Sequence, residues 1–305
     1  MSRQDPHVAS ALARLRNLAD AGSNSFNDIL QRYVIERFLA RIALLPDAES
    51  VLLKGALMLR VWGLQRARPT MDIDLLRRGA ADQATLVDLV RRCATMQEVG
   101  DVVAFDAATI VAESITEQAE HVGTRIRLTA RMGNVRQRIQ IDFGVGDSVV
   151  PAPLAIEFPL LLGGAPIRLA AYPAEAAIAE KFHVMVVRDT RNSRMKDFYD
   201  VWMLSKNCSF HAPILRAAIL ATFGRRGTPV PEAVPVALTN EFYASPSQSA
   251  QWSAFTRRIG ETELAGQFPL VVEAVRTFIM PALCDPSVEH INPFWPAGGP
   301  WSKGS

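Results

Sequence analysis

Two aspartates one residue apart, Asp72 and Asp74, stand in the alternating run Thr70-Met71-Asp72-Ile73-Asp74-Leu75. On a strand, residues two apart point the same way, roughly 6.5–7 Å apart along the chain. Like charges at that spacing repel, and a divalent cation held by both is the common resolution. A D-x-D pair alone also fits the solvated face of an edge strand. Here Met71, Ile73 and Leu75 fix which face is buried, and the pair is preceded by an apolar run, Val51-Leu52-Leu53, a turn at Lys54-Gly55 and a helical pattern over 56–62. That context points to a metal site. Asp142, on the polar side of Arg138-Ile139-Gln140-Ile141-Asp142-Phe143, reads alone as an exposed strand residue. Beside a strand carrying Asp72 and Asp74 it becomes the third ligand.

A second group of charges falls in AEKFHVMVVRDTRNSRMKDFYDVW, residues 179–202. Lys181 sits in mid-helix, and Arg194, Lys196, Asp197 and Asp200 crowd the start of the next helix. Each has a structural explanation: Asp197 suits a first helical turn, Asp200 pairs with a nearby base, and Lys181 snorkels. Taken together they read as a lid over a polyphosphate bound at the three aspartates. His183 has no second His at metal-ligand spacing and reads as structural. G-x-S-x-G, H-E-x-x-H and Walker A patterns are absent, and Lys54-Gly55 has the wrong order for a P-loop.

The elements that must position these groups follow from periodicity. Helical spacing predicts a first helix over 7–20 and a second capped by Ser25 with Asp28, with Ile29, Leu30, Phe38, Leu39 and Ile42 on its apolar side. A helix over 80–97 and a strand over 101–106 come next. Alternation on both sides of Gly133-Asn134 predicts a β-hairpin over 123–147. Short strands are expected near 158–162 and over 166–170. From Pro173 the pattern is helical, over 173–188, 196–206, 211–224, 248–259 and 267–283. The division expected is a mixed α/β region over 1–165, a helical domain over 166–284 that carries Lys181 and Asp197, and a Pro- and Gly-rich tail over 285–305. Trp295 and Trp301 would hold that tail as a strap on an apolar surface.

At 305 residues, 49% hydrophobic and 21% charged, the chain has the composition of a soluble globular protein with one large or two modest domains. A net charge of +2 excludes an overall polybasic signature, so nucleic-acid contact must be local. Three scattered cysteines lack metal-ligand spacing and suit a reducing cytoplasm. The start of the chain lacks a signal-peptide core, and charges such as Arg216, Glu273 and Arg276 interrupt its apolar segments, so a soluble cytoplasmic protein without membrane attachment is expected.

A strand, a Gly turn and a helix, then a strand bearing D-x-D and a third Asp on a neighbouring strand, resemble the nucleotidyltransferase superfamily of DNA polymerase beta type. More narrowly, LKGALMLRVWGLQRARPTMDIDLL, AEKFHVMVVRD and RMKDFYDVW resemble the AbiEii/AbiGii toxin family, which includes the MenT-type toxins. The likeness runs from about residue 25 to residue 206, and FWPAGGPW in the tail is similar too. The resemblance implies an α/β fold: a polymerase beta-like core of mixed sheet and helices plus a C-terminal helical domain. It implies that Gly55 and the Ala56 backbone approach the triphosphate, with Lys54 beside them, and that Asp72, Asp74 and Asp142 hold Mg²⁺ or Mn²⁺. Lys181 resembles the catalytic lysine that contacts the triphosphate of the NTP, with Lys196 near it, and Asp197 the essential aspartate of the second half. Where the family has Gly, Ser or Thr this chain has Ala56, so a hydroxyl contact to phosphate is absent. The interval from Gly55 to Asp72 is also longer than in polymerase beta.

The activity implied is metal-dependent transfer of nucleotides from NTP to an RNA acceptor, the 3′ end of tRNA, by the toxin of a toxin–antitoxin pair, with a separately encoded antitoxin as partner. Arg66, Arg68, Arg188, Arg191 and Arg194 are candidate RNA or phosphate contacts, or solvated surface arginines. Two other readings stay open: transfer to a protein hydroxyl or a small molecule, and a non-catalytic nucleotide- or RNA-binding module.

Overall fold

A computed structural model describes residues 5–22, 25–64, 70–96, 101–117, 121–146, 149–284 and 294–302. The chain divides into two compact units. The first comprises Met1–Val61, Pro69–Asp147 and Leu154–Ala171, and the second Trp62–Arg68, Ser148–Pro153 and Tyr172–Ser305. Among the described residues no helix is long and apolar enough to cross a membrane.

The first unit opens with helices α1 (Pro6–Asp20) and α2 (Phe26–Ala43). Ser25 Oγ accepts from the Asp28 amide at 3.2 Å, satisfying one of the unpaired donors of the first turn of α2. The apolar side of α2 is buried at Ile29, Leu30, Val34, Ile35, Phe38, Leu39 and Ile42. Strand β1 (Val51–Lys54) leads through a 3-10 turn, Gly55–Leu57, into a short helix α3 (Met58–Val61). The continuous helix expected over 56–62 is thus a tight turn plus one helical turn, because Gly55 takes φ +72°. Strand β2 (Asp72–Arg77) follows, then α4 (Gln83–Thr95), which begins where Asp82 accepts from the Thr85 amide at 2.8 Å.

Strands β3 (Ala104–Glu117), β4 (His121–Met132), β5 (Val135–Val145), β6 (Leu154–Phe158) and β7 (Ile167–Ala171) complete a mixed sheet of seven strands in the order β3-β4-β5-β2-β1-β7-β6. The hairpin turns at Gly133-Asn134, with Gly133 at φ +59° as a two-residue turn requires. β2 runs parallel to β5 and antiparallel to β1, and β1 runs parallel to β7. Two strands differ from expectation. β3 extends well beyond 101–106: it is an edge strand with a register shift between Asp106 and Val111, which breaks the alternation that would mark it. The strand expected at 158–162 lies at Leu154–Phe158, because Pro159 has no N–H for the ladder.

The second unit contains α5 (Ala174–Arg188), α6 (Met195–Asn207), the short strand β8 (Phe210–His211), α7 (Ala212–Arg225), α8 (Asn240–Tyr243), α9 (Pro246–Arg258) and α10 (Phe268–Leu283). Its core is aromatic: Phe198, Trp252, Phe268 and Phe278 are at most 1% exposed. Near the end of the described chain β9 (Phe294–Trp295) pairs with β8. Trp295 Nε1 donates to the Ser205 carbonyl at 2.8 Å, and Trp301 donates to the Phe278 carbonyl at 2.9 Å while its ring stacks on Phe278.

Candidate active site

Strand pairing, rather than any local motif, gathers the first cluster. Lys54, the last residue of β1, is the register partner of Asp74 in β2, Asp74 is that of Asp142 in β5, and Asp142 is that of Arg125 in β4. Register partners share a face, so a cation, two carboxylates and a second cation form a row across the sheet. A parallel row runs Asp72, Gln140, Arg127, with Arg127 Nε donating to Gln140 Oε1 at 3.1 Å. Ile73 and Leu75 point the other way and are fully buried, which fixes Asp72 and Asp74 on the polar face.

Gly55 completes this arrangement. A Cβ built on it would collide with the Asp74 carboxylate, lying 2.6 Å from its Cγ. The backbone turn after β1 therefore lies directly against Asp74, and its φ of +72° is one that side chains other than Gly rarely adopt. Ala56 is buried behind it and Lys54 is half-buried.

Asp142 is held firmly. Arg125 Nε donates to its Oδ1 and Arg125 Nη2 to its Oδ2, both at 2.8 Å, a two-pronged pairing. That hydrogen bond makes Arg125 hold its proton more tightly than an ordinary arginine; burial opposes it, and the charges of Asp142 and Asp72 assist. Carboxylate oxygens are the donors Mg²⁺ and Mn²⁺ take, and Asp72 and Asp74 offer theirs from one face. Both Asp142 oxygens accept from Arg125, and among the described residues no group of three His, Cys, Asp or Glu side chains is placed to hold a metal ion. The donor chemistry thus fits a hard divalent cation at Asp72 and Asp74, while Asp142 would have to exchange Arg125 for the ion.

The second unit holds its own cluster between α5 and α6. Lys181 Nζ donates to Asp200 Oδ2 at 2.8 Å and to Asp197 Oδ1 at 3.3 Å, and Arg194 Nε donates to Asp197 Oδ2 at 2.7 Å. Both carboxylates are fully buried, whereas the Lys181 and Arg194 side chains keep 16% and 30% exposure. Burial is the largest influence on Asp197 and raises its pKa; the charges of Lys181 and Arg194 outweigh it, so the group titrates below the ordinary range. The two carboxylates are thus a buried base plate under partly exposed cations. His183 is buried, in contact with Thr228 at 2.9 Å and Arg226 at 3.2 Å.

Of the other candidates, Lys196 and Arg188 are half-buried and Arg191 is exposed, while Arg66 and Arg68 lie outside the described residues. Arg125 has no place among the candidates, whereas the base that Asp200 pairs with is Lys181. Arg125 was legible in the hairpin: counting seven residues back along each arm from Met132 and Val135 reaches Arg125 and Asp142. The depth of Asp200 under Lys181 has no such local signal.

A family model described as nucleotidyl transferase AbiEii toxin, type IV TA system, matches residues 37–280. Among solved structures, a candidate nucleotidyltransferase from H. pylori aligns with a TM-score of 0.53 at 12% identity, over 88% of this chain and 100% of that one. This likeness shows the fold. The structure of JHP933 from Helicobacter pylori aligns with a TM-score of 0.44 at 11% identity, over 81% and 91% of the respective chains. No curated protein matches.

Proposed function

Since this chain belongs to the AbiEii nucleotidyl transferase toxin family of type IV toxin–antitoxin systems, and is a nucleotidyltransferase on that ground, we propose that it transfers a nucleotide from an NTP to the 3′ end of an RNA, a tRNA, and so halts translation. The observation that carries this reading is the row Lys54, Asp74, Asp142, Arg125 with the Gly55 backbone laid against Asp74. A backbone stripped of its side chain beside a carboxylate gives phosphate oxygens close access to whatever cation the carboxylate holds.

In this proposal Asp72 and Asp74 hold the divalent cation, and Asp142 joins them by releasing Arg125. Mg²⁺ or Mn²⁺, when bound, supplies polarisation of the α-phosphate and neutralises charge on the departing pyrophosphate. The Gly55–Ala56 backbone receives the triphosphate, and Lys54 adds positive charge beside Asp74. Lys181 is the catalytic lysine; buried Asp197 and Asp200 fix its ammonium group, and Lys196 follows Arg194 in the same segment. The acceptor's hydroxyl oxygen bonds to the α-phosphorus, pyrophosphate leaves, and the hydroxyl proton passes to solvent. An antitoxin encoded beside the chain is its expected counterpart.

The test is label transfer. Purified protein with Mg²⁺, total tRNA and each α-labelled NTP in turn should label RNA with at least one nucleotide. Asp74→Ala should lower the rate by at least ~10²–10³, the scale for removing one electrostatic stabiliser. Label on protein instead of RNA would replace the acceptor, and no transfer with any nucleotide would leave a binding module.

A further inference from the structure

The second unit carries a cleft to which the transfer step assigns no substrate group, although it shares Lys196 and the Asp197-bound Arg194 with the candidate residues. It lies between the start of α6 and α9 and encloses about 420 Å³, within the range of sites that take small ligands. Arg194 and Lys196 line it from one side, and Gln251, Ala254, Phe255 and Arg258 from the other. No carboxylate belongs to its lining. The Arg258 guanidinium lies 5.8 Å from the centroid of the Phe255 ring. Arg194 is anchored from beneath, through Nε, by the buried Asp197.

We propose that this cleft binds one nucleotide of a single-stranded RNA, the acceptor, holding its phosphodiester with Arg194, Lys196 and Arg258 and its base against Arg258 and Gln251. This rests on the proposed transfer to RNA. Three cations around a cleft without an acid suit phosphate oxygens. A guanidinium spread over an aromatic ring gives a flat cationic surface on which a base stacks, whatever its identity. The Gln251 amide offers both a donor and an acceptor to a base edge. The shared chemistry, a phosphate beside a base, also belongs to the NTP. A metal-bound triphosphate, however, calls for carboxylates to hold its cation, and this lining has none. The cleft therefore fits the acceptor, whose phosphates carry one charge each.

Fluorescence anisotropy with a labelled single-stranded oligoribonucleotide, in EDTA so that no chemistry occurs, reads the site directly. Arg258→Glu and Ala254→Glu both place a carboxylate in the cleft, and both positions are exposed, so folding is checked by circular dichroism alongside. Each should weaken RNA binding about tenfold or more, and Arg258→Glu should flatten the dependence of log K on log salt by about one. NTP affinity should be unchanged. RNA affinity equal to the parent's in both variants overturns the proposal, and so does weakening confined to the NTP. Label transfer separates this from the functional reading. Transfer to RNA that Arg258→Glu leaves untouched defeats the cleft alone. Absence of transfer, with RNA binding still lost in Arg258→Glu, defeats the functional reading alone.

Discussion

A single methyl group added at Gly55 separates the placement of Asp74 from its presence. Gly55→Ala would drive a Cβ into the Asp74 carboxylate and strain a backbone at φ +72°. Gly63 has nearly the same φ, +73°, with nothing within 4 Å of an added Cβ, so Gly63→Ala carries the backbone strain alone, roughly 1–2 kcal/mol. Label transfer should fall on the order of 10²-fold in Gly55→Ala, near the loss in Asp74→Ala, and stay close to the parent's in Gly63→Ala. Equal activity in both Gly variants would remove Asp74 placement from the mechanism. Glu36 makes a second prediction. Its side chain is 1% exposed, accepts from the Leu161 amide at 2.9 Å and from Arg32 at 3.2 Å, and is pushed up to about 7, chiefly by burial. A raised carboxyl pKa stabilises the fold where the group is protonated in both states, below the unfolded value. That contribution is lost as pH climbs from the unfolded range near 4.5 through about 7. The loss is bounded at about 3 kcal/mol. Urea unfolding of the parent should therefore show falling stability between pH 5 and pH 8, and Glu36→Gln, which cannot ionise, should flatten that slope.

Between α5 and α6, Lys181 is both a proposed catalytic group and a structural tie. Lys181→Ala removes the cation shared by two fully buried carboxylates, and breaking such a pair costs about 3–5 kcal/mol. Chemical denaturation should register that loss, and adding Asp200→Asn to Lys181→Ala should recover part of it because one of the two buried carboxylates deprived of the Lys181 cation is then neutral. Recovery of stability without recovery of transfer would assign Lys181 to the reaction as well as to the fold. The elements themselves were legible to the extent that their signals are local. The second helix, its Ser25 cap and the Gly133-Asn134 hairpin are each written in a few neighbouring residues, and the structure forms them there. Edge strand β3 exceeds the span its pattern predicts because its bulge interrupts the alternation, and the helix expected over 56–62 is shortened to one turn because the 3-10 turn that begins at Gly55 takes in Ala56 and Leu57, whose spacing alone reads as helical. The pairing of Asp74 with Asp142 was anticipated as a neighbourhood, since both strands are polar on one face. The grip of Arg125 on Asp142 follows from hairpin register, whereas the two buried carboxylates under Lys181 depend on how separate helices pack, which no spacing encodes.

Taken whole, a chain with net charge +2 cannot attract RNA through an overall field, so the proposed action on RNA must come from local groups. The two units divide those groups: the carboxylate row and the Gly55 turn belong to the first, and the Lys181 cluster and the basic cleft to the second. Under the proposed function, growth arrest on induction has two separable requirements, chemistry and RNA capture. Expression of the parent in a bacterial host should halt growth. Asp74→Ala should abolish the arrest while leaving RNA binding intact, because it removes a proposed cation ligand and no proposed RNA contact. Arg258→Glu should weaken the arrest while leaving NTP affinity intact. The Gly63→Ala protein, strained but chemically unaltered, should arrest growth as the parent does and so controls for reduced stability. Counts of viable cells after induction, normalised to soluble protein, read all four. If Asp74→Ala still arrests growth and Arg258→Glu does not, the protein acts by sequestering RNA, and nucleotide transfer is not the source of its toxicity. If both variants are harmless, toxicity needs the two units' groups together, as expected of an enzyme that must capture its acceptor before modifying it.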